Sequence, residues 1–66
     1  MDTKKLQDAI DARGIKLKYI SEKLGISRYG LYKKINGASD FTSTEMKTME
    51  DVLGLTKDEF YNIFFA

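Results

Sequence analysis

The side chains best equipped for chemistry crowd into one stretch near the middle of the chain, "GISRYGLYKKINGA", residues 25–38. Arg28, Lys33 and Lys34 place three cations within seven residues, with Tyr29 and Tyr32 interleaved. Guanidinium and ammonium groups only donate hydrogen bonds, so the set is built to hold anions and acceptors rather than to move protons. The chain has no histidine and no cysteine. It also lacks a phosphate-cradling glycine loop and any carboxylate pair in a plausible pocket, so an enzyme is not expected. The same absences exclude disulfides and the usual zinc sites, and no calcium-loop spacing occurs. No metal, cofactor or small-molecule ligand is therefore expected.

On a helical wheel, Leu31 and Ile35 point together and set the inward direction of this stretch. Lys33 falls opposite them. Tyr29, Gly30 and Asn36 flank it, and Arg28, Tyr32 and Lys34 lie at the edges. A glycine on the outward side costs roughly 1 kcal/mol against alanine, although less early in a helix. Tight helix packing does not explain it there, whereas close backbone approach by an outside partner does. Cations and tyrosines around such a glycine suit a partner that is anionic and grooved, as duplex DNA is. Arginine and lysine bind guanine edges in the major groove, and lysines and tyrosine hydroxyls hold phosphates.

The elements that must carry this face are short helices. Sixty-six residues make one domain, residues 1–66, with 42% hydrophobic residues and no proline. A chain of this length buries only about 60% of its unfolded surface, so its core must be economical. Leu6, Ala9 and Ile10 form one apolar stripe, stopped by Gly14. Leu17, Ile20 and Leu24 form a second, stopped by Gly25, and Ser27 is placed to cap the third helix before its Asn36-Gly37 stop. "TSTE" (Thr42 to Glu45) and "TKDE" (Thr56 to Glu59) are capping-box patterns that open two more. Met46, Met49, Val52 and Leu53 face inward on one, and Phe60, Ile63 and Phe64 on the other. The spacing predicts an all-α bundle of five helices over residues 3–13, 17–24, 28–36, 43–53 and 57–65.

Charge is divided unevenly along these helices. The formal net charge is +1. Residues 15–37 nevertheless carry six cations against one carboxylate, and residues 38–66 carry two cations against six. Glu45, Asp58 and Glu59 stand in first turns, where the helix dipole favours negative charge. Helix stability thus accounts for part of the acidic third, and nothing comparable accounts for the basic one.

"LKYISEKLGISRYGLYKKIN", Leu17 to Asn36, resembles the helix-turn-helix of the lambda-repressor-like (Cro/cI-type) family. The resemblance extends over nearly the whole chain and is strongest to small phage and prophage regulators of Gram-positive bacteria. It rests on the turn glycine Gly25, the inward Ile20, Leu24, Ile26, Leu31 and Ile35, and the Asn36-Gly37 stop. It implies a sequence-specific, double-stranded DNA-binding transcriptional regulator, a repressor that occludes promoter sites from the cytoplasm of a bacterial host. Helix 28–36 would enter the major groove, with Arg28, Tyr29 and Lys33 facing base edges and Tyr32 beside them. Ser27, Asn36 and the backbone just beyond would touch phosphates, and Lys34 is placed with them. Where the family commonly has a phosphate-clamping glutamine, this chain has Leu17. Lys16 and Lys18 beside it are the candidates to take over that contact.

The last helix raises a question of assembly. Tyr61 and Phe65 make an aromatic pair displaced from the core stripe. Either Phe65 folds back under the first helix or the pair is exposed and joins two copies. One recognition helix reads only a few base pairs, whereas a twofold dimer reaches half-sites about one DNA turn (~34 Å) apart. A homodimer through Tyr61 and Phe65 on a near-palindromic operator is the expected partner state. The alternative is a helix-turn-helix adaptor or antitoxin-like protein that binds another protein through the same aromatic helix. No membrane partner is expected, since no apolar run approaches the ~20 residues of a span.

Overall fold

A computed structural model describes all residues, Met1 to Ala66, as five α-helices and no strands. The helices are α1 (Thr3–Arg13), α2 (Leu17–Leu24), α3 (Arg28–Ile35), α4 (Ser43–Leu53) and α5 (Lys57–Phe64). Helix starts follow the caps. Asp2, Ser27, Thr42 and Thr56 each accept a backbone N–H from their own first turn. Both capping boxes form in full, with the Glu45 and Glu59 side chains returning to the N–H of Thr42 and Thr56.

Two helices stop one residue before the expected ends. Asn36 leaves the helix at φ −88°, ψ 4°, and its side chain turns to accept the Ala38 N–H at 3.2 Å. An asparagine that bonds its own downstream backbone favours a turn over a further helical residue. Gly37 follows at φ 88°, in the left-handed region that a side chain would strain. Phe65 similarly departs to φ −120°, ψ 23°.

The α1 helix packs on α3, α4 and α5, while α2 packs on α3 and α4. Twelve buried apolar residues form one core between them. Leu6, Ile20, Leu31 and Met49 are fully enclosed. Leu24, Ile26, Met46, Val52 and Phe60 are half-buried around that centre rather than inside it. Phe41 and Leu55, from the loops before α4 and α5, complete the core. Phe41 meets Phe64 edge to face at 5.6 Å, a favoured aromatic geometry.

Polar ties hold the helix ends. Arg13 donates to the Leu53 carbonyl, to the Ala9 carbonyl at 3.2 Å and to Glu59 Oε2 at 3.0 Å. It thereby joins α1 to the end of α4 and the start of α5. Glu50, buried on α4, is flanked by Lys47 at 3.2 Å and Lys57 at 3.0 Å. No buried side-chain nitrogen or oxygen lacks a hydrogen-bond partner. No helix is long and apolar enough to cross a membrane.

Candidate nucleic-acid interface

The turn between α2 and α3 is set by backbone bonds. Gly25 sits at φ 71°, its N–H reaching Glu22 O at 3.2 Å, and the Ile26 N–H reaches Ser21 O at 3.1 Å. These two bonds close the end of α2 and turn the chain within three residues. Ser27 then opens α3, its Oγ accepting the Gly30 N–H at 3.0 Å. The hydroxyl keeps its own proton free to donate outward. Ser21, buried on α2, donates its hydroxyl to Lys18 O at 2.9 Å and so carries no unsatisfied group into the interior.

Leu31 and Ile35 are buried, and Arg28, Tyr29 and Tyr32 of α3 are turned outward. Tyr29 is 73% exposed and Tyr32 58% exposed. Arg28 and Asn36 are exposed as well, and Lys33 is half-buried. The Lys33 ammonium lies 5.6 Å from the centre of the Tyr29 ring. One turn apart on the helix, the ring holds the cation by its negative face and limits the lysine's freedom. The same arrangement recurs on α2, where Lys23 lies 5.4 Å from the Tyr19 ring.

Gly30 has no neighbouring helix. A Cβ added there would meet only Ser27 Oγ, at 3.2 Å, apart from the helix's own backbone. Internal packing therefore gives no reason for the missing side chain. The N-cap hydroxyl gives a small one.

At the other end of the motif, Lys16 and Lys18 are exposed on either side of the half-buried Leu17. Lys16 stands at the N-cap of α2 and makes no side-chain cap bond, so this helix alone begins without one. Its first-turn amides keep their donors free beside two ammonium groups.

The pattern of ion pairs separates this surface from the remainder of the molecule. Lys4, Arg13, Lys34, Lys47 and Lys57 each have a carboxylate partner within 4.0 Å. Of the six cations left without one, five are Lys16, Lys18, Lys23, Arg28 and Lys33, and the other is Lys5. The α2–turn–α3 unit thus keeps five of its six cations uncompensated, Lys34 being the exception.

Lys34, expected with the phosphate contacts, is engaged within the fold: its ammonium donates to Glu45 Oε1 and to the Asp40 carbonyl, both at 2.8 Å. It also lies 5.9 Å from the Phe41 ring, and its side chain is only 17% exposed. A carboxylate at the start of α4 offers the lysine a charged acceptor inside the fold. Lys34, with the amide of Thr42 adding to it, holds the Glu45 carboxyl below its ordinary value of 4.5.

Away from this surface, Tyr61 and Phe65 are 62% and 60% exposed, their ring centres 5.3 Å apart. Phe65 does not fold back under α1. Phe60 links the pair to the core, lying 5.8 Å from Phe65 and 5.2 Å from Phe64. A surface hollow of about 340 Å³ lies between α1 and α5. Lys5, Asp8, Ala9, Arg13, Glu59 and Asn62 line it, and none of the residues of α2 or α3 does. Compared with known proteins, the chain matches no family model, no curated protein and no solved structure.

Proposed function

We propose that this chain is a sequence-specific, double-stranded DNA-binding regulator of the lambda-repressor-like, Cro/cI type, with α3 as its recognition helix. The observation that carries the reading is the distribution of unpaired charge. Five of six unpartnered cations belong to one short helix–turn–helix unit, whose outward surface also has the exposed Tyr29 and, at Gly30, a position without a side chain. Uncompensated cations on one face create the field that draws a polyanion, and their release of DNA counterions drives binding.

On this reading Arg28, Lys33, Tyr29 and Tyr32 read base edges, and Gly30 lets the helix sit deep in the groove. Ser27, Asn36, Lys16 and Lys18 hold phosphates, and the free first-turn amides of α2 substitute for the missing glutamine clamp at Leu17. The protein acts as a homodimer on a near-palindromic operator and represses by covering a promoter. The second reading, an adaptor or antitoxin-like binder of another protein, is favoured by the exposed pair Tyr61 and Phe65.

Selection of bound duplexes from a random-sequence library at near-physiological salt tests the choice. Enrichment of a short inverted repeat, with affinity falling by a log–log slope of roughly −0.9 per phosphate neutralised, supports the regulator. Recovery of unselected sequence only would overturn sequence-specific recognition and direct attention to the α5 aromatics.

A further inference from the structure

We infer that Glu45 is a specificity-determining residue that works by withholding a cation from DNA. This rests on the duplex-binding reading above. Lys34 is the one cation of residues 15–37 that has a carboxylate partner. It is bound at two points, Glu45 Oε1 and the Asp40 carbonyl, and neither partner belongs to the basic unit. Glu45 already serves its own helix, since the same Oε1 accepts the Thr42 N–H at 2.8 Å. The ion pair is therefore not needed to open α4; the capping box does that.

What the pair changes is the charge available at the end of α3. Lys34 follows Lys33 directly and precedes Asn36 by two residues, so its stem starts beside the groups that meet DNA. Turned outward, a flexible four-carbon stem with a point charge would bind any phosphate within reach, whatever the sequence. Contacts of that kind raise affinity for all duplexes alike and dilute the advantage of the operator. Held by Glu45 and Asp40, the ammonium is taken out of competition. The base-reading cations Arg28 and Lys33 are left unpaired. Discrimination rises because the non-specific term is kept small.

Glu45→Gln tests this, because the amide keeps an oxygen for the Thr42 N–H and removes the counter-charge that holds Lys34. Binding of a random duplex and of the selected operator is measured across a salt series for three proteins. These are the unaltered chain, Glu45→Gln, and Glu45→Gln combined with Lys34→Met. The single variant is expected to bind random duplex several-fold more tightly, with a salt slope steeper by about 1, and to show a smaller operator-to-random ratio. Adding Lys34→Met should return the slope and the random-duplex affinity to those of the unaltered chain. An unchanged slope in Glu45→Gln would overturn the inference, as would a gain that survives Lys34→Met.

A measurement on the unaltered protein guards against a variant that folds poorly. Side-chain ammonium NMR with random duplex should shift Lys18 and Lys33 and leave Lys34 in place. A shift of Lys34 as large as theirs would refute the withholding role. Absence of any duplex binding at low salt would overturn this inference together with the reading beneath it, whereas the outcomes above sink this inference alone.

Discussion

Arg13 on α1 and Glu59 on α5 lie 3.0 Å apart, across forty-six residues of sequence. Glu59 meanwhile caps its own helix, its Oε1 accepting the Thr56 N–H at 2.9 Å. Glu45 repeats the arrangement with Lys34 and Thr42. Each capping-box glutamate thus uses spare lone pairs to receive a cation from an earlier helix. A local helix-start signal becomes a tie between helices. In a domain with only twelve buried apolar residues, such ties add to what the core alone contributes to placing the helices.

Acid should loosen these ties. Glu59 is held below the ordinary 4.5 by the Thr56 amide and then Arg13, and Glu45 by Lys34 and then Thr42. Glu50 is lowered by Lys57 and then Lys47. A carboxylate with a depressed folded-state pKa stabilises the fold fully above its unfolded value. That stabilisation is lost as pH falls through the folded value. The melting temperature should stay nearly level from about pH 7 to about pH 5 and drop below the ordinary glutamate value. Thermal scans by circular dichroism would show it, and a flat profile down to about pH 3 would contradict it.

The two threonine caps should be individually measurable. Thr42→Ala and Thr56→Ala each remove the acceptor for an N3 amide and are expected to cost about 1 kcal/mol. For a domain of this size that corresponds to a fall in melting temperature of about 4–8 °C. The sites open different helices and share no partner, so the double variant should show the sum. A double variant no less stable than either single one would mean the caps are coupled through the core.

Gly30 permits a sharper test of the interface than of stability. Replacing glycine by leucine in a helix gains about 1 kcal/mol in propensity. Here the new Cβ would press Ser27 Oγ at 3.2 Å, disturbing a cap worth about as much. The two effects oppose each other, so Gly30→Leu should unfold close to the unaltered chain. On the duplex-binding reading its operator affinity should fall sharply, because the side chain would stand where the backbone approaches the groove. Normal operator binding by Gly30→Leu would remove close approach as the reason for the glycine.

Substitutions on the same face should separate reading from holding. Arg28→Ala and Lys33→Ala are expected to relax preference at one base position each, at a cost of ~1–3 kcal/mol. Lys18→Ala should instead weaken every sequence alike and make the salt slope shallower by about 1. Competition binding with single-base operator variants distinguishes the two. If Arg28→Ala and Lys33→Ala both left base preference untouched, α3 would not be the reading helix.

Which parts of this molecule could be read from its sequence follows from the range of each interaction. Helix starts at Ser27, Thr42 and Thr56 were legible because a cap bonds a residue only three positions on. The inward stripe of Leu31 and Ile35 was legible from its spacing alone. Phe41 and Leu55 carry no such signal, for they sit in loops where apolar residues have no period. The destination of Lys34 was illegible for a related reason. Its stem reaches either the outward face or α4, and the choice depends on a carboxylate eleven residues away. Arg13 hid its role in the same way, its partners Leu53 and Glu59 being set by how α1 crosses the chain's far end.

Tyr61 and Phe65 give the last prediction. Both rings are exposed already, so Phe65→Ala removes little buried surface and should change stability within about 0.5 kcal/mol. Phe60→Ala makes the contrast, since Phe60 is half-buried and its ring packs at a tilt against Phe64, 5.2 Å between centres. Its loss should cost several-fold more stability than that of Phe65. If two copies meet through the exposed pair, Phe65→Ala should leave each copy folded but lower operator affinity and make binding depend more steeply on protein concentration. Sedimentation of the protein with a two-half-site duplex, beside titration of a single half-site, resolves the two effects. Half-site affinity should be unchanged while occupancy of the full site falls. Unchanged assembly and unchanged full-site affinity would show that the aromatic pair serves another partner.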